Sequence, residues 1–277
     1  MKETVIDFHV HLSEYEAMTP DIFNFYAAFY PSKEAYLNFT KKYSDPNSFI
    51  ELMDKNGVDY SVVLAEVAPL TSGYVYNEQV EEFCKGNPRL IPFCTLNPYI
   101  HFNMGEKLED LCLNHGFKGI KLYPSYNHYY PNDSSIYPIY AVAERLGIPV
   151  LLHTGTSIFS NSRLKYSNPI YLDDVAIDFP NLKIIMAHGG RGPWHDEALS
   201  LIRLHKNVYI DITGLPPKKL LEYFPIMERY SHKFVFGTDW PSVDVKKNID
   251  AVRNLNISQD AISKILGGNA KRLLELD

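Results

Sequence analysis

Two histidines separated by one residue, His9 and His11, follow an apolar run near the start of the chain. Side chains alternate along a β-strand, so both imidazoles are expected to lie on one face. We expect the interior face of this strand to carry Val5, Asp7, His9 and His11, and the opposite face to carry Ile6, Phe8 and Val10. Two neutral imidazoles on one face form part of a site for zinc or a similar divalent metal. A His-x-His pair is weak evidence by itself, because single motifs also arise by chance.

Three more groups that bind metals or move protons occur later, each at the end of a strand-like run. His153 lies in Leu-Leu-His-Thr-Gly-Thr, His188 in Ile-Ile-Met-Ala-His-Gly-Gly, and Asp239 in Phe-Gly-Thr-Asp-Trp-Pro. If these runs are parallel strands of one sheet, all the groups meet at the same edge. Unpaired imidazoles and a carboxylate that converge would be costly without a metal or a hydrogen-bond network. In the alternative interpretation each histidine is a hydrogen-bonded core residue and Asp239 is a helix cap.

The elements that must position these residues are short, nearly continuous apolar runs separated by helix-like segments. We predict strands at Val5–Val10, Ser61–Ala65, Leu90–Thr95, Gly119–Leu122, Pro149–Leu152, Lys183–Ala187, Val208–Asp211 and Phe234–Phe236. After the first, the runs recur about every 30 residues, which is the length of a βα unit. Continuous apolar runs are typical of parallel strands that helices cover on the outside. Eight such units predict an α/β fold, a (β/α)₈ TIM barrel, as a single domain over residues 1–277.

The first unit is longer than the others, and residues 13–47 are predicted to be an insertion after strand 1. Its aromatic residues are Tyr15, Phe23, Phe25, Tyr26, Phe29, Tyr30, Tyr36, Phe39 and Tyr43. An insertion there would cover the mouth of the barrel. Long loops in compact domains are usually functional, so we favour a lid or an aromatic wall for a substrate. A small helical cap with its own core, or a subunit contact, is the alternative.

Composition narrows the class of protein. The 277 residues carry a formal net charge of −6, so there is no basic field for nucleic acid. No Lys/Arg block would bind an anionic membrane, and no apolar run reaches the roughly 18 residues of a membrane span. The start of the chain has no signal-peptide pattern. The three cysteines, Cys84, Cys94 and Cys112, lack metal-site spacing and are expected to be reduced, mostly buried thiols of a cytoplasmic protein.

In combination, the motifs resemble those of the amidohydrolase superfamily, in particular the amidohydrolase 2 branch. That branch includes aminocarboxymuconate-semialdehyde decarboxylase and related non-oxidative decarboxylases. The matching segments are Asp7-Phe-His-Val-His11, Gly119-Ile-Lys-Leu-Tyr-Pro124, Leu152-His-Thr-Gly-Thr156, Ala187-His-Gly-Gly190, Phe236-Gly-Thr-Asp-Trp-Pro241 and Gly268-Asn-Ala-Lys-Arg-Leu-Leu274. The resemblance covers essentially the whole barrel and leaves only the insertion at 13–47 outside it.

The resemblance implies a set of ligands for one divalent metal: His9, His11, His153 and Asp239. Zinc is the first expectation, with manganese or another divalent ion as alternatives. The resemblance places His188 beside the metal, where it acts on the substrate or holds a second ion. Lys121 corresponds to a strand-4 lysine that becomes a bridging carbamate in binuclear members. We favour a single metal, in which case Lys121 is either a contact for an anion or a buried side chain with its amine at the mouth. Dimers are common in this branch, so a homodimer is expected.

Further side chains are candidates for binding a small carboxylic acid derivative. Arg163, in the loop after strand 5, and Arg191, after the His-Gly-Gly turn, could each bind a carboxylate. Either could equally be a solvated surface charge. Tyr123 begins a tyrosine-rich loop that could form an aromatic wall or a packed loop, and Trp240 could line the mouth. The candidate substrate-binding residues are therefore Lys121, Tyr123, Arg163, Arg191 and Trp240.

Three functions are compatible with these residues. In the first, and favoured, hypothesis a metal-activated water hydrolyses an ester, lactone or amide; Asp239 moves the water proton and His188 stabilises the oxyanion. In the second, the same centre decarboxylates an aromatic or unsaturated acid, and Asp239 or His188 delivers a proton to carbon. In the third, the barrel only holds a metal or a ligand without catalysis.

Overall fold

The computed structural model describes residues 3–13 and 17–276, and Tyr15 of the predicted insertion lies outside them. The strands are β1 Ile6–His11, β2 Tyr60–Leu64, β3 Glu66–Ala68, β4 Gly73–Val75, β5 Leu90–Cys94, β6 Gly119–Leu122, β7 Pro149–Gly155, β8 Lys183–Arg191, β9 Val208–Asp211 and β10 Phe234–Val235. Eight of them form one parallel sheet in the order β1-β2-β5-β6-β7-β8-β9-β10, and β3 pairs with β4 as a separate antiparallel hairpin.

The sheet closes on itself between its first and last strands. Phe8 N donates a hydrogen bond to Phe236 O at 2.9 Å, and His11 N donates to Trp240 O, also at 2.9 Å. A parallel bridge joins Val10 to Trp240 just beyond the end of β10. The chain after β10 therefore completes the ring of strands, and the predicted eight-stranded barrel is confirmed.

Helices follow the strands and cover the outside of the barrel. The α-helices are α1 Pro20–Ala27, α2 Lys33–Tyr43, α3 Pro46–Asn56, α4 Asn77–Cys84, α5 Met104–Asn114, α6 Pro124–Asn127, α7 Tyr137–Leu146, α8 Leu172–Asp178, α9 His195–Leu204, α10 Leu220–Tyr223, α11 Val245–Arg253, α12 Gln259–Ser263 and α13 Asn269–Leu273. Short 3₁₀ turns lie at Leu164–Tyr166, Pro169–Tyr171, Pro217–Lys219 and Ser231–Lys233, and a π-helical turn at Lys264–Gly268. Within the described part of the chain, no helix is long and apolar enough to cross a membrane.

The interior of the barrel corrects the face that we expected for β1. Ile6 and Phe8 belong to the inner apolar cluster, together with Leu151, Ile185 and other alternate strand residues, whereas Val10 packs in the outer layer with the helices. The expected alternation is wrong because the pairing of β1 with β2 shifts register between Asp7 and Val10. Such an irregularity re-aims the following side chains. It allows His9 and His11 to face the mouth above an apolar interior.

Two strands are longer than predicted, and one hairpin was missed. β7 and β8 continue to Gly155 and Arg191, so His153 and His188 lie inside strands rather than after them. The hairpin Glu66–Val75 follows β2 directly. Its three-residue strands are too short to show a period of two in the sequence.

The predicted insertion contains α1 and α2, which pack together above one side of the barrel mouth. On α2, Phe39 and Tyr43 contact the Trp240 ring, each with ring centroids 5.6 Å apart. Trp240 also lies 5.0 Å from Phe49 of α3. This part of the insertion thus forms a small apolar core with the loop after β10.

The C-terminal helices close the opposite end of the barrel. Ala270 and Leu273 of α13 belong to the inner apolar cluster. The π-helical turn before them packs so closely against the segment preceding β1 that a Cβ atom on Gly267 would lie 2.1 Å from Thr4 O. The three cysteines are free thiols; Cys84 and Cys94 are buried and Cys112 is partly exposed.

We predict that Gly267→Ala lowers the free energy of unfolding by about 3 kcal/mol. The added methyl group would overlap Thr4 O and force the two backbone segments apart. Gly268→Ala is the matched control, since its nearest new contact is an ordinary 3.4 Å to Ser263 O. Alanine is better than glycine in a helix by roughly 1 kcal/mol, so the control should be neutral or slightly stabilising. Urea unfolding followed by circular dichroism measures both. Equal unfolding free energies in the two variants would contradict the close contact.

Candidate metal centre and active site

Three potential metal ligands converge where the barrel closes. His9, His11 and Asp239 each offer an atom that lies within 4.8 Å of the other two. The two Nε2 atoms of the histidines are 3.2 Å apart, and Asp239 Oδ1 lies 3.5 Å from His9 Nε2 and 3.4 Å from His11 Nε2. The histidines come from the end of β1 and the carboxylate from the loop after β10. This is the only such group of three among the described residues.

The tautomer of His9 follows from its partner. Its Nδ1 lies 2.6 Å from Asp211 Oδ2 at the end of β9. An ionised carboxylate only accepts hydrogen bonds, so Nδ1 carries the hydrogen and the Nε2 lone pair faces His11 and Asp239. Burial, reinforced by the charge of Lys121, lowers the pKa of His9 to about 4. The imidazole is therefore neutral at pH 7 and free to bind a metal.

The local backbone holds Asp239 against the two histidines. Asp239 has a left-handed conformation with φ of 66°, which costs a non-glycine residue roughly 1–2 kcal/mol. Its N–H donates to His9 O at 3.0 Å. The preceding residue, Thr238, donates from both its N–H (2.9 Å) and its hydroxyl (2.7 Å) to the buried Asp7 carboxylate. Backbone strain at a polar residue that neighbouring hydrogen bonds hold in place is typical of a functional position.

The donor set fits a divalent cation. An imidazole lone pair and a carboxylate oxygen repel one another at the distances seen here, and a cation placed among them converts that repulsion into three favourable contacts. Burial would raise the pKa of Asp239, but its contacts with His11, His9 and His188 outweigh burial and hold the pKa well below its usual value. The carboxylate is thus ionised and able to act as a ligand.

His188 lies beside this cluster with a defined tautomer. Its ring centroid is 5.3 Å from that of His9 and 4.7 Å from that of His153. His188 Nδ1 is 2.9 Å from Thr213 O. A carbonyl only accepts, so Nδ1 is the donor and Nε2 offers a lone pair. Burial and the charge of Arg191 keep the pKa of His188 well below its usual value, so the neutral ring accepts hydrogen bonds at Nε2 rather than donating them.

Two glycines make the bend that presents His188. His188, Gly189 and Gly190 all have positive φ, of 64°, 51° and 71°. A Cβ atom at Gly190 would lie 2.2 Å from Trp194 O, and one at Gly189 would lie 2.6 Å from the Phe224 ring. Only glycine is compatible with both the backbone conformation and the space. The Ala-His-Gly-Gly segment therefore sets the orientation of the His188 imidazole.

The fourth predicted ligand, His153, does not join the group of three, although it lies next to it. His153 is buried, and its Nε2 has no hydrogen-bond partner in the described structure. A buried polar atom without a partner is unfavourable and calls for an explanation such as an ion. The unpaired nitrogen thus supports a metal at this site more strongly than the ring's position alone does.

A cavity of about 180 Å³ lies directly above the candidate ligands. Rings of α1, of the loop after β6 and of the loop after β7 form much of its wall. The residues that line it are His9, His11, Phe25, Tyr26, Phe29, Glu66, Lys121, Tyr123, Tyr126, His153, Ile158, Phe159, His188, Arg191, Gly214, Asp239, Ser242 and Val243. The cavity is small, aromatic on its sides and polar at its floor.

Lys121 and Arg191 bring positive charge to this cavity. Lys121, on β6, is fully buried, and its Nζ lies 5.3 Å over the Tyr123 ring with no hydrogen-bond partner among the described side chains and backbone. Burial lowers the pKa of Lys121 to about 8. Arg191 is held in place by hydrogen bonds to the carbonyl oxygens of Thr156 and Gly214. Both side chains and Tyr123 line the cavity, and their contacts with a substrate stay predictions.

Two predicted substrate-binding residues lie elsewhere. Arg163 is exposed and does not line the cavity; its backbone N–H bonds to Ser125 O. Trp240 is 4% exposed and buried among aromatic rings of α2 and α3. The cis peptide between Trp240 and Pro241 belongs to the loop after β10, and the indole serves as packing beneath the insertion. A substrate contact is not supported for either residue.

Sequence reasoning missed several residues of the site. Asp211 and Glu66 are buried carboxylates that contact the two histidines of β1. Asp211 is the last residue of β9 and Glu66 comes two residues after β2, so a systematic list of carboxylates near the ends of strands would have found them. Phe25, Tyr26 and Phe29 were part of the aromatic insertion, but its sequence does not show which rings face the cavity.

The family profile described as Amidohydrolase matches residues 6–276 of the chain. This chain belongs to the amidohydrolase family. The match extends from β1 to the last helix, and it confirms the resemblance that the motifs predicted.

Several proteins are similar to this member of the family. The gamma-resorcylate decarboxylase of Polaromonas sp. (strain JS666) is 25% identical over 191 residues, and the match covers 53% of this chain and 57% of the relative. An uncharacterised TIM-barrel protein from Bordetella bronchiseptica is 26% identical, with a TM-score of 0.79 and 98% of each chain covered. A dihydroxybenzoic acid decarboxylase from Polaromonas sp. JS666, with bound manganese and 2-nitroresorcinol, is 18% identical and shares the fold: the TM-score is 0.74, with 99% of this chain and 98% of that chain covered. The chain spans about half the length of the curated relatives it matches.

We predict that the protein, loaded with Mn²⁺ or Zn²⁺ and dialysed, retains one ion per chain, and that His11→Ala retains almost none. The loss of one of three converging donors removes the site's preformed geometry. His232→Ala, at an exposed histidine away from the cavity, is the control and should retain the ion. Elemental analysis measures the content. Full retention by His11→Ala would contradict the donor set.

Proposed function

We propose that this protein is a metal-dependent decarboxylase that removes CO₂ from a monocyclic aromatic acid bearing a ring hydroxyl group. The observation that carries the proposal is the cavity of about 180 Å³, walled by aromatic rings, directly above the candidate ligands. An apolar cavity of roughly 150 Å³ accommodates benzene. The space therefore suits one substituted ring. The similarity to gamma-resorcylate decarboxylases supports the same substrate class.

His9, His11 and Asp239 would hold the metal, with His153 as the neighbouring fourth ligand. One divalent ion is proposed, zinc or manganese, since nitrogen and carboxylate donors suit both. When bound, the ion would supply positive charge that attracts the carboxylate and phenol oxygens of the substrate and stabilises negative charge on the ring.

Lys121 and Arg191 are proposed to bind and orient the substrate. Both are cationic groups in the wall of the cavity. Lys121 Nζ has no hydrogen-bond partner among the described residues, so it can donate to a substrate. A charge-assisted hydrogen bond inside a small cavity is stronger than one in water. We assign to Lys121 a contact with the carboxylate or phenolate, while the aromatic walls hold the ring plane.

Asp239 is proposed to carry the proton. Its Oδ1 faces the imidazoles, which leaves Oδ2 to take the proton of the substrate hydroxyl. The same carboxyl then delivers that proton to the ring carbon as the carbon–carboxylate bond breaks, and the bonding electrons remain on the ring. CO₂ leaves, and the phenolate regains a proton from water on release. His188, an acceptor at Nε2, is placed to bind a second hydroxyl of the substrate.

Two observations support decarboxylation over the hydrolysis that the sequence analysis favoured. The curated relatives that match this chain are decarboxylases. Neutral His188 also has its only N–H directed at Thr213 O, so it offers no donor to an oxyanion. A cytoplasmic location and a homodimer remain predictions from the sequence.

The test is a panel of monocyclic hydroxybenzoic acids and their methyl esters, assayed with the Mn²⁺- or Zn²⁺-loaded protein. We expect CO₂ release from at least one acid and no acid release from the esters. Asp239→Asn should lower kcat by about 10³-fold, the middle of the range for a positioned proton donor. Asp260→Asn, at an exposed carboxylate, is the control. Release of acid from the esters without CO₂ from the acids would refute decarboxylation.

Lys121→Met is expected to raise KM for the acid about 10–100-fold, because a hydrogen bond to a charged group contributes roughly 1.5–3 kcal/mol. Methionine has a similar length and no charge, so the buried space remains filled. Lys118→Met, at an exposed lysine just before β6, is the matched control and should leave KM unchanged. Steady-state kinetics of CO₂ release separate KM from kcat. An unchanged KM in Lys121→Met would remove this residue from the binding site.

A further inference from the structure

The hairpin that the sequence analysis missed brings a carboxylate to the second histidine of β1. Glu66, the first residue of β3, is 1% exposed and lines the cavity. Its Oε2 lies 3.3 Å from His11 Nδ1. The opposite nitrogen of His11, Nε2, faces His9 and Asp239. Glu66 therefore contacts the Nδ1 side of His11, away from the other ligands, as Asp211 contacts the Nδ1 side of His9.

Several hydrogen bonds fix the position of Glu66 and of the hairpin that carries it. Across its turn, Ser72 donates its hydroxyl to Glu66 Oε1. The turn is joined to the neighbouring wall by a 2.9 Å hydrogen bond from Thr71 Oγ1 to Tyr126 O. The carbonyl of Val67, next to Glu66, accepts from two buried asparagine side chains, Asn97 at 3.2 Å and Asn127 at 3.1 Å. Ser72 thus holds the Glu66 carboxylate directly, and the other three hydrogen bonds hold the hairpin that carries it.

The contact between the Glu66 carboxylate and His11 Nδ1 determines the tautomer of His11. A carboxylate next to Nδ1 favours the tautomer with hydrogen on Nδ1, which leaves the Nε2 lone pair directed at the convergence point. Ligating histidines generally have such an acceptor at their other nitrogen, and it sets the ring orientation and raises its basicity. His9 gains this support from Asp211 at 2.6 Å. The longer 3.3 Å separation at His11 makes Glu66 the weaker of the two supports.

We propose that Glu66 is a positioning residue, whose carboxylate sets the tautomer and orientation of His11 for metal binding. The inference rests on the proposed metal-dependent function and assigns a role to the hairpin Glu66–Val75. Each histidine of the His-x-His pair then has its own carboxylate, delivered by a different element: the end of β9 for His9 and the hairpin for His11.

The test is the affinity for Mn²⁺ in the absence of substrate, measured by competition with a chelator and by the electron paramagnetic resonance spectrum of the bound ion. Glu66→Gln preserves shape and removes the charge, and we expect Mn²⁺ binding 10–100-fold weaker than in the wild type. Ser72→Ala leaves the charge but releases one of its partners, so a smaller loss is expected. Glu82→Gln makes the same chemical change at an exposed glutamate and should bind like the wild type.

The melting temperature of the metal-free variants separates positioning from folding. We expect Glu66→Gln to melt like the wild type without metal and to show an altered resonance spectrum with it. The positioning role of Glu66 would be overturned if Glu66→Gln bound Mn²⁺ as tightly as the wild type. It would also be overturned if the loss of Mn²⁺ affinity came with a lower metal-free melting temperature. Neither result would bear on the metal centre itself. Failure of the wild type to bind Mn²⁺ would overturn the metal centre and this inference together. The absence of CO₂ release would bear only on the proposed reaction, because no readout here uses turnover.

Discussion

The hydrogen bond from Asp239 N to His9 O lies at the seam where the last strand meets the first, and the candidate metal centre depends on it. The two histidines come from residues 9 and 11 and the carboxylate from residue 239, so nearly the whole chain separates the donors. Only closure of the barrel brings them together. The paired bonds from Thr238 to Asp7 secure the same seam one residue deeper. A metal bound here would join the two ends of the sheet and favour the closed barrel over open alternatives.

The site is also an accumulation of buried polar groups that would destabilise the fold without partners. Lys121 Nζ and His153 Nε2 are both buried without a hydrogen bond in the described structure. Leaving such groups unsatisfied costs roughly 1–3 kcal/mol each. The rest of the barrel compensates through a continuous apolar interior below the site and a second apolar layer beneath the helices. The polar groups of the site thus lie directly above an apolar barrel interior.

Much of this arrangement could be predicted from the sequence, because strands and their terminal motifs are local signals. The eight barrel strands lie within a few residues of their predicted bounds, and the motifs around His9, His153, His188 and Asp239 meet at one rim. What could not be predicted depends on register and on distant packing. The shift between Asp7 and Val10 arises from pairing with β2 and reverses the expected faces of Ile6 and Phe8.

Side chains at the mouth were the least predictable, because the same residue type serves packing and recognition. Trp240 follows Asp239 directly, yet its ring turns into an aromatic core formed with α2 and α3. Arg163 and Arg191 look alike in the sequence, but only Arg191 has carbonyl partners that hold it at the cavity. Glu66 sits on a hairpin whose three-residue strands carry no periodic signal.

The roof of the cavity has a different origin from its floor. Phe25 and Tyr26 come from α1 and Phe29 from the turn that follows it, within the segment inserted between β1 and β2, whereas the ligands come from barrel strands and the loop after β10. The hydroxyl of Tyr26 is hydrogen-bonded to Ser242, in the loop that follows Asp239. Changes of length or ring size in α1 can therefore alter which molecules fit while the chemistry below stays intact. Under the proposed function, selectivity and reactivity would reside on two different segments of the chain, which meet through side-chain contacts at the cavity.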